Sequence, residues 1–303
     1  MNTISAQTPE RVLLRLDWNV IRRLDGLLQG NYRSLFYGFG VDFADLREYQ
    51  PEDDIRYIDW NVTARIASRT PYVRQYHEDR EVTAWFLLDM SPSVDFGTMQ
   101  TQIEKRTMLI DFVTVLARLL TRQGNRVGAM MFGSRIQHTV PARGGRLQVL
   151  RLVNDMLKQP RLSNAPFTNL KSFLDGALNS IRRRSLIFII SDFISEPGWE
   201  KSLSLLAQRH EVLAIRLVDP REVDLPDMGM VVMEDAETGE QLFVDTHDKK
   251  FRQRFFEAAQ KRELDLNTAF KRTGVDVLSL STEDDLVRQI VRFAKRREKV
   301  RKN

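Results

Sequence analysis

From about residue 82 onward, short apolar runs alternate with amphipathic stretches. VTAWFLLD (82–89), RVGAMMF (126–132), SLIFIISD (185–192), EVLAIRLVD (211–219) and VDVLSL (275–280) are mostly apolar and rich in β-branched, aromatic or other large apolar residues. Runs of that length and composition predict strands buried on both faces, as in a parallel-rich sheet. Between them, helices are predicted over 104–123 (ended by Gly124), 145–158, 169–183, from Pro197 and Gly198 to about 208, 247–272 and 283–300. IQHTVP (136–141) adds a short strand after the Gly133-Ser134 turn, and MVVMED with EQLFVDT makes a late hairpin around 236–239. Regular alternation of strand and helix predicts an α/β fold: a doubly wound, mostly parallel sheet with helices on both faces.

Upstream the pattern is weaker. In DWNVIRRLDGLLQ (17–29), Trp18, Ile21, Leu24, Leu27 and Leu28 share one helical face, with Asp17 as N-cap and Gly30 as stop. Residues 31–70 mix glycine, aromatics and charge, and read as irregular. YVRQY (72–76) alternates, and HEDRE (77–81) reads as a polar connection to VTAWFLLD, which predicts a hairpin. The expected organisation is an N-terminal helical and irregular extension over 1–70, followed by an α/β domain over 71–303 that carries the late hairpin and the C-terminal helices.

Composition removes several kinds of chemistry. The 303 residues include no cysteine, so disulfides, thiolate nucleophiles and thiolate zinc sites are excluded. No apolar run approaches the roughly 20 residues of a membrane span, and the N-terminus lacks the basic-then-apolar pattern of a signal peptide; a cytoplasmic location is expected. The net charge of +5 is local, because residues 292–303 hold seven Lys or Arg against one Glu. No aromatic-basic stacking motif accompanies that tail or 249-KKFRQR-254, so a nucleic-acid role is not expected. The histidines His77, His138, His210 and His247 are scattered, and neither a P-loop nor a serine nucleophile elbow is present.

The candidate chemistry sits where strands end. In open α/β sheets, ligands bind at the carboxyl ends of strands. VTAWFLLD runs directly into Asp89, Ser91 and Ser93; SLIFIISD ends on Asp192; Thr168 precedes a helix. Two carboxylates and three hydroxyls are hard oxygen donors, suited to Mg²⁺ or Mn²⁺ and carrying little charge, so such an ion would be weakly bound. Asp89 could alternatively serve a metal-assisted hydrolase or phosphatase, but Ser91 stands where a phosphatase of that kind carries a second aspartate.

The order Asp-x-Ser-x-Ser, Thr, Asp resembles the metal-ion-dependent adhesion site of von Willebrand factor A domains. The resemblance implies direct contacts to the ion from Ser91, Ser93 and Thr168, and largely water-mediated contacts from Asp89 and Asp192. Upstream, GFGVDFADLREYQPEDDIRYIDWNVTAR (38–65) carries Gly38, Gly40, Asp42, Phe43, Arg47, Tyr49, Asp53, Asp54, Arg56, Ile58, Asp59 and Trp60. This pattern resembles the signature of the bacterial family called domain of unknown function 58, in which it precedes a von Willebrand factor A-like domain. Pairing of Arg47 and Arg56 with the carboxylates is the preferred reading of the segment. The family resemblance implies a non-enzymatic, metal-dependent interaction module. It would serve as adaptor or chaperone accessory to a MoxR-type AAA+ ATPase, or bind a client protein that offers an acidic residue. Many family members begin with two membrane spans, and this sequence shows none.

Overall fold

The computed structural model describes residues 8–24, 45–51, 55, 58, 60–66, 70–75, 82–95, 104–133, 136–161, 169–234 and 239–302. In chain order these residues form α1 (Pro9–Leu16), β1 (Asp45–Glu48), α2 (Trp60–Ile66), β2 (Tyr72–Gln75), β3 (Thr83–Asp89), α3 (Lys105–Arg122), β4 (Arg126–Phe132) and β5 (Ile136–Arg143). There follow α4 (Arg146–Lys158), α5 (Leu170–Ser180), β6 (Leu186–Ser191), α6 (Trp199–Arg209), β7 (Glu211–Val218), β8 (Met230–Glu234), β9 (Gln241–Asp245), α7 (Lys249–Thr273), β10 (Asp276–Ser281) and α8 (Leu286–Lys302).

The central sheet has six strands in the order β10-β7-β6-β3-β4-β5. All neighbours are parallel except β4 and β5, which are antiparallel. Alternate residues of each strand feed two apolar clusters. Phe86, Leu88, Phe188 and Ile190 pack with residues of α1, α3, α4 and α8. Leu87, Met130, Ile187 and Ile189 pack with α5, α6 and α7 on the other face. The sheet is therefore doubly wound and mostly parallel, the architecture predicted from the apolar runs. The reversal falls between β3 and β6: β3 leads through α3 to β4 on one side, and β6 leads through α6 to β7 on the other. A crevice opens at such a reversal, beyond the carboxyl ends of the strands.

Two upstream expectations need correction. Tyr72–Gln75 does not form a hairpin with the first core strand; it pairs antiparallel with Asp45–Glu48. The N-terminal helix also begins earlier than predicted. Thr8 accepts a hydrogen bond from the Arg11 amide as N-cap, and Asp17 lies inside a continuous helical path that passes through a π-turn at Asp17–Ile21. One extra residue in that turn rotates the apolar face. Val12, Leu13, Leu16, Val20, Ile21 and Leu24 are buried in the sheet's own core, whereas Trp18 is exposed and carries the Arg22 guanidinium 4.0 Å over its ring. Leu27, Leu28 and Gly30 lie outside the described residues, as do Gly38, Gly40, Asp42, Phe43, Asp53, Asp54, Arg56 and Asp59 of the signature.

The docking of α1 brings a measurable consequence. Arg15 pairs with Asp111 of α3. Burial pushes the Asp111 carboxyl up from 3.8 to about 6, outweighing the pull of Arg15. Folding thus favours the protonated acid: its contribution is fully present below about pH 4 and is lost as pH rises to about 6, a change on the order of 3 kcal/mol. Asp111→Asn should remove this dependence and gain on the wild type between pH 4 and 7 in urea unfolding.

Candidate functional site

The site grows from the ends of β3 and β6. Both strands are mostly apolar and buried at their carboxyl ends, so the polar residues there are delivered to the crevice with little freedom. Asp89 closes β3, held in the ladder by the Met90 amide, which donates to the Phe132 carbonyl at 2.6 Å. The chain then folds back on itself. The Ser91 amide donates to Asp89 Oδ1 at 3.0 Å, and the Ser91 and Ser93 hydroxyls lie 3.0 Å apart, one donating to the other. Pro92–Asp95 forms a short 3₁₀ turn that fixes this loop.

From the neighbouring strand, the Ser191 hydroxyl donates to Asp89 Oδ2 at 2.6 Å and accepts from the Phe193 amide at 2.9 Å. Asp192 follows, with its Oδ1 accepting from the Ile194 amide at 3.0 Å. Phe193 has φ of 59°, a left-handed conformation that costs a non-glycine residue energy. The ring compensates by burial against Trp199 and Phe270, with centroids 5.7 and 4.9 Å away. A strained, anchored turn thus directs Asp192 into the site.

Exposure is 0% for Asp89, 1% for Ser91, 7% for Ser93 and 2% for Asp192. Burial, reinforced by the nearby Asp192 charge, pushes Asp89 up to about 6, against the hydrogen bonds from Ser191 and Ser91. The four predicted residues that fall within the described structure therefore converge. Thr168 lies outside the described residues.

Sequence reasoning missed three participants. Lys105, the first residue of α3, is completely buried; its Nζ lies 3.0 Å from Asp192 Oδ2 and 2.6 Å from Glu222 Oε1. Burial alone would pull this ammonium down, but the two carboxylates together outweigh it and hold it above its ordinary value. Glu222 belongs to a short turn after β7. Its Oε2 accepts from the Asp219 amide at 3.2 Å while Asp219 caps the same turn. Ser191 is the third. Its one signal was position, a hydroxyl beside Asp192 at the end of a wholly apolar strand. Lys105 gave no such signal, since lysine in a first helical turn ordinarily faces water.

A protein-family comparison matches residues 45–265 to the family described as Protein of unknown function DUF58. The chain belongs to that family. A DUF58 assignment agrees with the signature read at 38–65 and with the sheet carrying the site. An uncharacterized protein of Mycobacterium tuberculosis is 37% identical over 287 residues, covering 95% of this chain and 89% of that one. A shorter uncharacterized protein of Mycobacterium avium is 39% identical over 160 residues, covering 53% of this chain and 94% of that one. Among solved structures, BatB from Bacteroides thetaiotaomicron gives a TM-score of 0.45 at 14% identity, over 72% of this chain and 99% of that chain. An aerotolerance-related membrane protein from Bacteroides fragilis gives 0.48 at 13% identity, over 72% and 99%. Within the described residues of this DUF58 chain, no helix is long and apolar enough to cross a membrane.

Proposed function

We propose that this DUF58 protein is a metal-dependent protein-interaction module. In this reading Asp89, Ser91, Ser93 and Asp192, with Thr168, hold a weakly bound Mg²⁺ or Mn²⁺ that a partner's carboxylate completes. The observation that carries the reading is the buried all-oxygen cluster at the β3/β6 reversal. Its donors fit a hard divalent ion, and its charge does too. Lys105 pairs with Asp192 and Glu222, while Asp89, with a pKa pushed up to about 6 first by burial and then by the Asp192 charge, has no cation paired with it among the described residues. The ion would supply the missing charge and an acceptor position for an incoming carboxylate.

The same geometry speaks against a nucleophilic role for Asp89. Both of its oxygens already accept hydrogen bonds from its own surroundings, Oδ1 from the Ser91 amide and Oδ2 from the Ser191 hydroxyl. His138 is engaged by Asp155 at 3.0 Å and His247 by Asp227 at 2.5 Å, so neither is set against Asp89 as a base. The proposed partner is a MoxR-type AAA+ ATPase or a client protein with an exposed acidic residue.

Calorimetric titration of the purified ATPase into the full chain tests the partner. Binding is expected in Mg²⁺ and lost in EDTA; equal binding in both contradicts the proposal. A smaller effect is expected at Ser191. Ser191→Ala removes the donor that orients Asp89, and Mn²⁺ affinity should fall about 10-fold, in the range found for residues that orient metal ligands. Stability should drop by about 1–3 kcal/mol in urea unfolding.

A further inference from the structure

We infer that Lys105 is a built-in competitor of the divalent ion, sharing Asp192 with it and setting how weakly the site binds metal. The inference rests on the proposed metal site and names the residue that tunes it. A lysine is almost never fully buried without a specific partner, and this one reaches two carboxylates from different strand ends, Asp192 after β6 and Glu222 after β7. An ammonium has three donors and no acceptor, so it takes the Asp192 side of the cluster and leaves the Ser91 and Ser93 oxygens to the ion. Two cations drawn to one carboxylate repel each other strongly at low effective dielectric.

The neighbouring residue strengthens the link. Arg106 Nη1 holds Asp95 Oδ1 at 3.0 Å and Oδ2 at 3.2 Å, and Asp95 closes the turn that carries Ser93. The start of α3 thus grips both halves of the site: Arg106 holds the serine loop, and Lys105 holds Asp192. A purely structural lysine would act only by keeping Asp192 in place, and its removal would then weaken metal binding. A competing lysine has the opposite effect.

The test is Mn²⁺ titration of the full-length wild type, Lys105→Met and Glu222→Gln, followed by electron paramagnetic resonance. Lys105→Met should bind Mn²⁺ at least about tenfold more tightly. It should also melt lower than the wild type without added metal and regain more of its melting temperature on adding Mn²⁺. Glu222→Gln keeps the lysine and removes the charge of one of the two carboxylates it holds, concentrating its attraction on Asp192, so Mn²⁺ affinity should fall at least about threefold. This second variant keeps the test open if Lys105→Met fails to fold. Unchanged or weaker binding by Lys105→Met, or unchanged binding by Glu222→Gln, overturns the inference. If wild type and variants bind alike, the competitor role fails and the metal site stands. If only Lys105→Met binds, the competitor role stands and metal-dependent binding by the natural protein fails. If none binds, both fail.

Discussion

Asp89→Ala is expected to lower Mn²⁺ affinity at least about 100-fold, beyond the 10–100-fold typical of a residue that only orients ligands, while leaving the fold intact. Asp89 lies at the hub of the cluster, bonded to the serine loop on one side and to Ser191 on the other. Removing it deletes a site charge and frees both Ser91 and Ser191 to reorient. The fold should tolerate this. A buried carboxylate crowded by Asp192 is costly to keep, and its loss offsets much of the two hydrogen bonds given up. The expected stability change is within about 2 kcal/mol in either direction. Circular dichroism melting alongside the Mn²⁺ titration checks both halves. A variant that unfolds would assign Asp89 to structure, and one that binds Mn²⁺ normally would remove it from the site.

The largest effect on stability is expected at Gly128. It lies in β4 opposite Trp85 of β3, where the β4/β5 register shifts between Val127 and Ala129. A Cβ there would stand 2.9 Å from the Val140 carbonyl oxygen, 3.0 Å from the Ala142 amide nitrogen and 3.0 Å from Trp85 Cζ3. Two of these atoms are backbone and cannot swing aside. Gly128→Val should therefore push the antiparallel edge strand β5 away and cost about 3 kcal/mol or more, at the upper end for overpacking. Urea unfolding measures it; a loss below about 1 kcal/mol would show that β5 yields easily.

The same physics explains what the sequence could reveal. The parallel strands are legible because each carries a run of large apolar residues bounded by polar residues or glycine, so 126–132 matches to the residue and the other parallel strands to within one. Asp89 and Asp192 stand out as candidates for the same reason: each is the first carboxylate at the end of an apolar run that has none. Pairing of Tyr72–Gln75 was not legible, because partner choice is set by non-local contacts, and sequence proximity to β3 suggested the wrong one. A uniform helical period puts Trp18 on one face with Ile21 and Leu24, and the π-turn at Asp17–Ile21 breaks that period. Lys105 and Glu222 were invisible for a different reason. Each is an ordinary surface residue type in its local sequence, and their burial depends on three strand ends meeting in space. The apolar pattern locates the crevice, whereas its charge balance appears only once the chain is folded.

The most direct test of the central claim is Mn²⁺ binding by the full-length wild-type protein, followed by electron paramagnetic resonance. The site predicts one saturable position with a dissociation constant on the order of 10⁻⁴–10⁻³ M, as fits a site of low net ligand charge, displaced by Mg²⁺ and absent in Asp89→Ala. Wild-type protein that binds no Mn²⁺ at millimolar concentration, or binds it equally in Asp89→Ala, would contradict the metal-dependent account.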